Sequence, residues 1–368
     1  MATLQDVAER HRRDLLARDR AASRDLVAGY GRAYRRIQAA ATAVARKLAA
    51  AQAAGEEPSP AWLYQQGRLR SVTVVAAREL TEFGEYAADL ITDEQRAAMF
   101  AAQANAEELV RLLEPQEFEG VGAVWGEVDP EVPRALAGNL ADGSPLRTRL
   151  VQLAREGARA VADTMVAHVA RGAAPIELAR ELRSALGVNL SKAQTIARTE
   201  TLRAYREVTR RSYQTNAHIV QAWIWHAALT SRTCAACWAM HGSTHELSDT
   251  LDGHPNCRCA MVPLTKSYEE LGVIGVEENR RPVPMGPAEF ARASSQTQRA
   301  ILGDRAYAAY QAGEVQLADF VGQKHSDEWG SMRYRRSLRE AREAAARGSA
   351  GLDINQPGTP SPFQQNPE

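Results

Sequence analysis

The 368-residue sequence has no run of 18 apolar residues, so it offers no candidate membrane span and no membrane partner is expected. Its 45 Lys and Arg side chains are matched by 45 Asp and Glu, which leaves no general excess of positive charge. Any grip on DNA therefore has to come from a local patch. The opening residues MATLQDVAERHRRDLLARDR mix acids with arginines and contain no apolar segment of a secretory signal, so synthesis in the cytoplasm is expected. A Walker A loop, a dinucleotide-binding glycine fingerprint and a nucleophile elbow are all missing. The length is enough for two to three domains with a buried core.

The neutral balance averages unlike pieces. Residues 1–50 carry 11 basic and 5 acidic side chains, residues 51–150 carry 8 and 17, and the remainder carries 26 and 23. Surfaces of different sign suit different neighbours, although solvated helix faces account for much of such asymmetry.

Helix-forming Ala, Arg, Glu and Leu dominate residues 1–113. Val27, Tyr30, Tyr34, Ile37, Ala41, Val44 and Leu48 step by three and four, which predicts one apolar seam over three heptads. After the break GEEPSP, Leu69, Val72, Ala76, Leu80, Phe83, Ala87 and Leu90 repeat the spacing, so a long helical hairpin or coiled coil is expected. Thr92 and Gln95 resemble a capping box for a further helix through Leu113. Residues 114–139 hold prolines, glycines and many acids and read as an acidic linker.

Ser144 and Pro145 restart helix, with Leu146, Leu150, Leu153, Ala154, Ala158, Val161 and Met165 on one face and Gly157 as a weak point within it. A shorter helix from Ile176 to Leu186 is expected to stop at Gly187, and Ser191 with Gln194 to cap the next one, which carries IARTETLRAYREVTRRSY. HIVQAWIWHAAL, residues 218–229, reads as a strand, and Arg258 to Pro263 as its short partner. Residues 140–265 thus form a central domain. Residues 266–347 are read as a helical C-terminal extension, including WGSMRYRRSLREAREAAAR, and residues 348–368 as a disordered tail. The fold class expected is mainly α with a small α+β module.

All four cysteines fall within 26 residues, Cys234 and Cys237 as C-x-x-C and Cys257 and Cys259 as C-x-C, with His254 just upstream of the second pair. In a reducing compartment this clustering argues for thiolate ligation of zinc over two disulfides or four idle thiols. Two ligand pairs on separate turns close a tetrahedral site. Cys234, Cys237 and Cys257 are three ligands, and the fourth is His254 or Cys259. With so many protein donors no position need stay open for water, so the expected zinc is structural. HELSD, residues 245–249, lacks the second histidine of a zinc protease motif, and no histidine has Glu two positions on, as a deaminase would require. His241 and His245 read as surface imidazoles, and Trp223, Trp225 and Trp238 as core.

IARTE (196–200), the strand with WIW (223–225), SRTCAACWAMHG (231–242) and GHPNCRCAMVP (253–263) together resemble the Mu protein F-like minor head proteins, the head morphogenesis family of tailed bacteriophages and their prophages. The order and spacing of the blocks match as well as their residues, over residues 140–265. Thr230 departs from the pattern, since many relatives carry an acidic residue there. The family's signature residues correspond to Arg198, Thr199 and Glu200 on the helix and to Cys234, Cys237, His254, Cys257, Arg258 and Cys259 in the knot.

The resemblance implies a structural minor capsid protein without turnover, located in the virion at the head interior or portal vertex and assembled in the host cytoplasm. It would bind the portal protein, and major capsid or scaffold protein besides, and act in head assembly, DNA packaging or DNA ejection. Arg203, Arg206, Arg210 and Arg211, and Arg333, Arg335, Arg336, Arg339 and Arg342, form two basic stretches that could give weak, salt-dependent contact with DNA. Arg198 and Glu200 cannot pair with each other on a helix. Both are expected to hold the helix against the knot, with Arg258 a partner for Glu200. A zinc-dependent hydrolase or nuclease using Glu246 or His245 is the alternative from another class, and a non-viral zinc-knot adaptor is a third.

Overall fold

A computed structural model describes residues 3–113, 125–277, 283–327 and 329–347. Residues 114–124 of the expected linker and the whole expected tail, 348–368, lie outside the described residues.

Four long helices make the body. Thr3 and Asp6 close a capping box at the start of α1, Leu4–Ala53. The short α2, Pro60–Tyr64, begins on a proline suited to a first helical turn and leads into α3, Arg68–Arg111. After α4, Glu131–Leu136, come α5, Leu146–Ala170, and α6, Leu178–Thr215. Arg18 pairs with Glu94 and Arg36 with Glu79, so α3 climbs as α1 descends. Tyr30 Oη donates to the Leu186 carbonyl and Gln194 Nε2 to Ser23 Oγ, which sets α6 antiparallel to α1 as well. His168 with Glu181 and Lys192 with Glu156 join α5 to α6 in the same sense. One apolar core runs through all four, from Leu26, Ile37 and Val44 through Val72 and Ile91 to Leu150, Val161 and Ile196.

The seam on α1 matches the expected spacing except at its start, where Leu26 turns inward and Val27 is exposed. Two expected helix boundaries are absent. α3 passes through Thr92, whose hydroxyl bonds back to the Ala88 carbonyl at 2.8 Å, while Gln95 reaches out to accept from Gly138 N. α6 likewise runs through Gly187 and Ser191. Packing against three neighbouring helices holds both segments helical, overriding local capping signals. Gly157 is required rather than weak: a Cβ there would stand 2.2 Å from Asn189 Nδ2 and 2.9 Å from Leu80 Cδ1, so its absence lets α5 approach α6 and α3 closely.

The small module follows. β1, Val220–His226, is the centre of a three-stranded antiparallel sheet, between β2, Thr244–His245, and β3, Ala260–Thr265. The helix α7, Ala235–Met240, lies between β1 and β2. Trp223 and Trp225 are buried on one face of β1. Ile224 on the other face packs with Val262, with Val7 and Ala8 at the start of α1, and with Leu109 near the end of α3. The sheet is therefore closed by the bundle. The strand pair expected from the sequence is present, with the two-residue β2 added.

Residues 125–139 are packed rather than linker-like: Val128 and Leu136 are buried, and Asn216 brackets Gly126 by accepting from its N–H and donating to its carbonyl. Beyond residue 283 come α8, Gly286–Arg292, α9, Ser295–Leu302, and α10, Asp304–Gln311. A hairpin of β4, Val321–Ser326, and β5, Gly330–Arg335, precedes α11, Leu338–Ala346. WGSMRYRR, read as helix, contains β5. Gly330 takes a left-handed φ of 66°, and the chain pairs back along β4. The hairpin also touches the knot, where Arg333 N donates to the Asp252 carbonyl at 2.7 Å.

Candidate metal centre

Two turns face each other. Cys234 is the N-cap of α7, and its sulfur accepts from Cys237 N at 3.4 Å, so C-x-x-C forms the first turn of a helix. In the second turn Cys257 N donates to the His254 carbonyl, and Asn256 between them has a left-handed φ of 64°. Asn tolerates that conformation better than most residues.

The donors of the two turns converge. Cys234 Sγ lies 3.2 Å and Cys237 Sγ 3.5 Å from His254 Nε2, and Cys237 Sγ lies 3.8 Å from Cys257 Sγ. The ligand atoms of Cys234, Cys237 and His254 are mutually within 4.8 Å, as are those of Cys237, Cys257 and Cys259. All four cysteines are free thiols. Zn–S bonds of about 2.3 Å and Zn–N bonds of about 2.0–2.1 Å give tetrahedral edges of roughly 3.8 Å between sulfurs and roughly 3.5 Å between sulfur and nitrogen. These three separations fit such edges, Cys237 is the donor common to the two groups, and the soft sulfur and imidazole donors fit zinc. His254 Nδ1 is bonded to the Pro255 carbonyl at 2.8 Å, which aims Nε2 at the thiols.

The proton balance of the cluster points the same way. Hydrogen bonding from Cys237, against burial and with help from His254, brings the Cys234 thiol down to about 5. Bonds from Cys237 and Cys259 hold Cys257 well below the usual thiol range. Burial lowers His254, but its bond to Cys234 and the nearby thiolates outweigh that and push it up to about 9. Cys237, as donor to its neighbours, is raised. A bound cation would take the place of these shared protons.

The helix α6 grips the knot at its second turn, through Asn256 and the carbonyls of Cys257 and Cys259. Arg198 Nη1 donates to Asn256 Oδ1 at 2.7 Å while its Nε donates to Asp19 of α1 at 2.8 Å. Asn256 N donates to Thr199 Oγ1 at 3.1 Å, and its Nδ2 to Thr195 Oγ1 at 3.3 Å. Arg206, 7% exposed, donates to the carbonyls of both Cys257 and Cys259, at 2.8 and 3.0 Å. Thr195 and Asn256 carry no signal of their own in the sequence, and Arg206 reads there only as one member of a basic stretch. The helical spacing of 195, 198, 199, 202 and 206, which share one face, was the available signal.

Glu200 does not join them, nor does it meet Arg258. Two residues beyond Arg198 it lies about 200° round the helix. It is 3% exposed and pairs with Arg203 at 3.2 Å. Arg258 instead lies in the field of Arg198, Arg232 and Asp19.

Many arginines of the two basic stretches are engaged within the protein, some of them at its surface. Arg210 is fully buried against Glu207, which also holds Arg211. Arg335 and Arg336 donate to the carbonyls of Leu302 and Asp319, Arg339 pairs with Glu343, and Arg342 with Glu314. Such pairing offsets part of the positive charge of both stretches, while Arg335, Arg339 and Arg342 stay exposed. His241 and His245 are buried rather than on the surface. His241 Nδ1 accepts from Ala227 N at 3.0 Å, and His245 stacks on Trp223 with Nε2 2.8 Å from Ser243 Oγ. Glu246 is exposed, and neither it nor His245 belongs to either donor group.

A mainly helical chain with a Cys/His knot clamped to its longest central helix is the class these features define. Residues 159–262 match the family described as Phage Mu protein F like protein, and this central segment is Mu protein F-like. The matched stretch runs from within α5 to β3 and takes in every donor of the knot. No curated protein and no solved structure matches the chain. The family likeness supports a role in phage head morphogenesis and a place in the virion, and among the described residues no helix is long and apolar enough to cross a membrane.

Proposed function

We propose that the chain is a structural minor head protein that binds the portal and acts in head assembly, DNA packaging or ejection, without turnover. The family match over the knot and its helical clamp carries this reading. The knot packs along α6, and zinc would lock it through Cys234, Cys237, Cys257 and His254. His254 is taken as the fourth ligand because its Nε2 stands 3.2 and 3.5 Å from the sulfurs of Cys234 and Cys237 and is aimed there by its Nδ1 bond, while Cys259, grouped with Cys237 and Cys257, is the competing donor. Zinc there supplies cross-linking of two turns and no chemistry. Arg198, Thr199 and Arg206 keep the turns in place, and α1 joins the clamp through Asp19.

Co-expression with the portal protein of the same phage genome tests the central claim. Co-purification of the chain with portal rings at a fixed low stoichiometry is expected. Migration of the two as separate species in gel filtration, with heads assembling normally when the gene is deleted, would overturn it.

A further inference from the structure

A cavity of about 470 Å³ lies on the side of α6 away from the Arg198 grip, bounded by the turn at 139–142, the loop at 250–253 and the tip of the β4–β5 hairpin. Thr199 and Arg206 border both this cavity and the knot, but the cavity does not contain the metal donors. Leu140, Leu251 and Trp329 line its apolar walls, and Asp142, Glu200 and Asp252 supply carboxylates. Its volume is that of a small-molecule site.

Its charges are unevenly matched. Arg203 contacts Glu200 and also donates to the Trp329 carbonyl at 2.9 Å. Arg206 is committed to the carbonyls of the cysteine turn, and Glu207 to Arg210 and Arg211. Asp252 accepts from Thr250 through Oδ1 at 2.6 Å, while its enclosed Oδ2 has no hydrogen-bond partner among the described residues. Arg333 faces Asp252 from β5. Burial, only partly offset by Arg203, raises the Glu200 carboxyl above its ordinary range. Burying this acid costs stability, and the knot does not use it, which is the usual signature of a ligand site.

The chemistry of the occupant follows from the lining. An anion would face the carboxylates of Asp142, Glu200, Asp252 and Asp327. A metal ion would need donors close together, and among the described residues the carboxylates here form no such group. An aliphatic stem suits the leucines and the indole, and a cationic head suits the acids. Residues 348–368 contain no Lys or Arg, so that part of the chain cannot supply the head group. We propose that this cavity binds an alkylammonium or alkylguanidinium group, carried by a free polyamine or by a Lys or Arg side chain of a partner.

Calorimetric titration of the full zinc-loaded chain at low ionic strength tests this, with agmatine, spermidine and N-acetyl-arginine methylamide as probes and 1,4-butanediol as the uncharged control. Saturable one-to-one binding of at least one cation, and none of the diol, is expected. Tighter binding of the free amines assigns a polyamine as the ligand, and tighter binding of the capped arginine assigns a side chain. Asp142→Asn, at an exposed position, should weaken binding at least fivefold. Ala141→Phe, at the rim, should block it with no change of charge. Zinc content should stay unchanged in both, which separates this outcome from any failure of the knot. Absence of saturable binding by every cation, equal binding of the diol, or wild-type affinity in both variants would overturn the proposal.

Discussion

Arg198 and Asn256 meet at 2.7 Å, and through that contact a helix of the bundle holds the one residue of the knot that carries a left-handed backbone. The Asn256 side chain and main chain are both engaged, so this residue sets the angle at which the turn presents Cys257.

Replacing Arg198 by Ala should remove the bonds to Asn256 and Asp19 together, and charge-assisted bonds of this kind are worth about 1.5–3 kcal/mol each. Denaturant unfolding should show a lower midpoint, and a colorimetric chelator should strip zinc faster. Asn256→Gly keeps the backbone conformation and loses the contacts, so it should fall between wild type and Asn256→Ala. An unchanged midpoint and unchanged zinc release in Arg198→Ala would dispose of the clamp.

Metal analysis by mass spectrometry should find one zinc per chain. Cys234→Ser, Cys237→Ser, Cys257→Ser and His254→Ala should each lose it, whereas Cys259→Ser should retain it. Loss from Cys259→Ser with retention in His254→Ala would reverse the assignment of the fourth ligand.

His226 and His241 are buried with their rings 5.3 Å apart. Burial lowers each to about 4, with the neighbouring His226 adding to the effect on His241. In the unfolded chain both titrate near 6.5, so the unfolded state takes up protons first as pH falls. Their contribution is full above pH 6.5, declines between 6.5 and about 4, and is constant below. The limit is about 3 kcal/mol per ring. His226→Phe should flatten the fall in melting temperature over that window, and an identical pH profile in the variant would refute the assignment.

Gly157→Ala ought to stabilise an isolated helix by roughly 1 kcal/mol. Here the added methyl meets Asn189 and Leu80, so a net loss of about 1–3 kcal/mol is expected from overpacking. Thermal unfolding of the variant measures the sign, and a gain in stability would show that α5 and α6 can separate at little cost.

The apolar seam of α1 and the cysteine turns were legible because each is written in local spacing. The ends of helices were less so. Thr92 and Gly187 carry local stop signals that only the surrounding bundle overrides, and the sequence does not display those neighbours. Arg206 read as one of several arginines, since nothing local distinguishes a guanidinium facing two cysteine carbonyls from a solvated one. The β4–β5 hairpin was missed because the Arg-rich letters of β5 favour helix, whereas its pairing partner and its contact with Asp252 are supplied by distant residues.

The burial of Val7 and Ala8 against Ile224 and Val262 has a bearing on synthesis. The first two turns of α1 leave the ribosome ahead of their whole apolar cover, since Leu109 follows about a hundred residues later and Ile224 and Val262 more than two hundred. Until β3 emerges, the sheet's share of that cover is missing, so the nascent chain keeps an adhesive tip which a chaperone or an assembly partner can reach before the sheet closes over it.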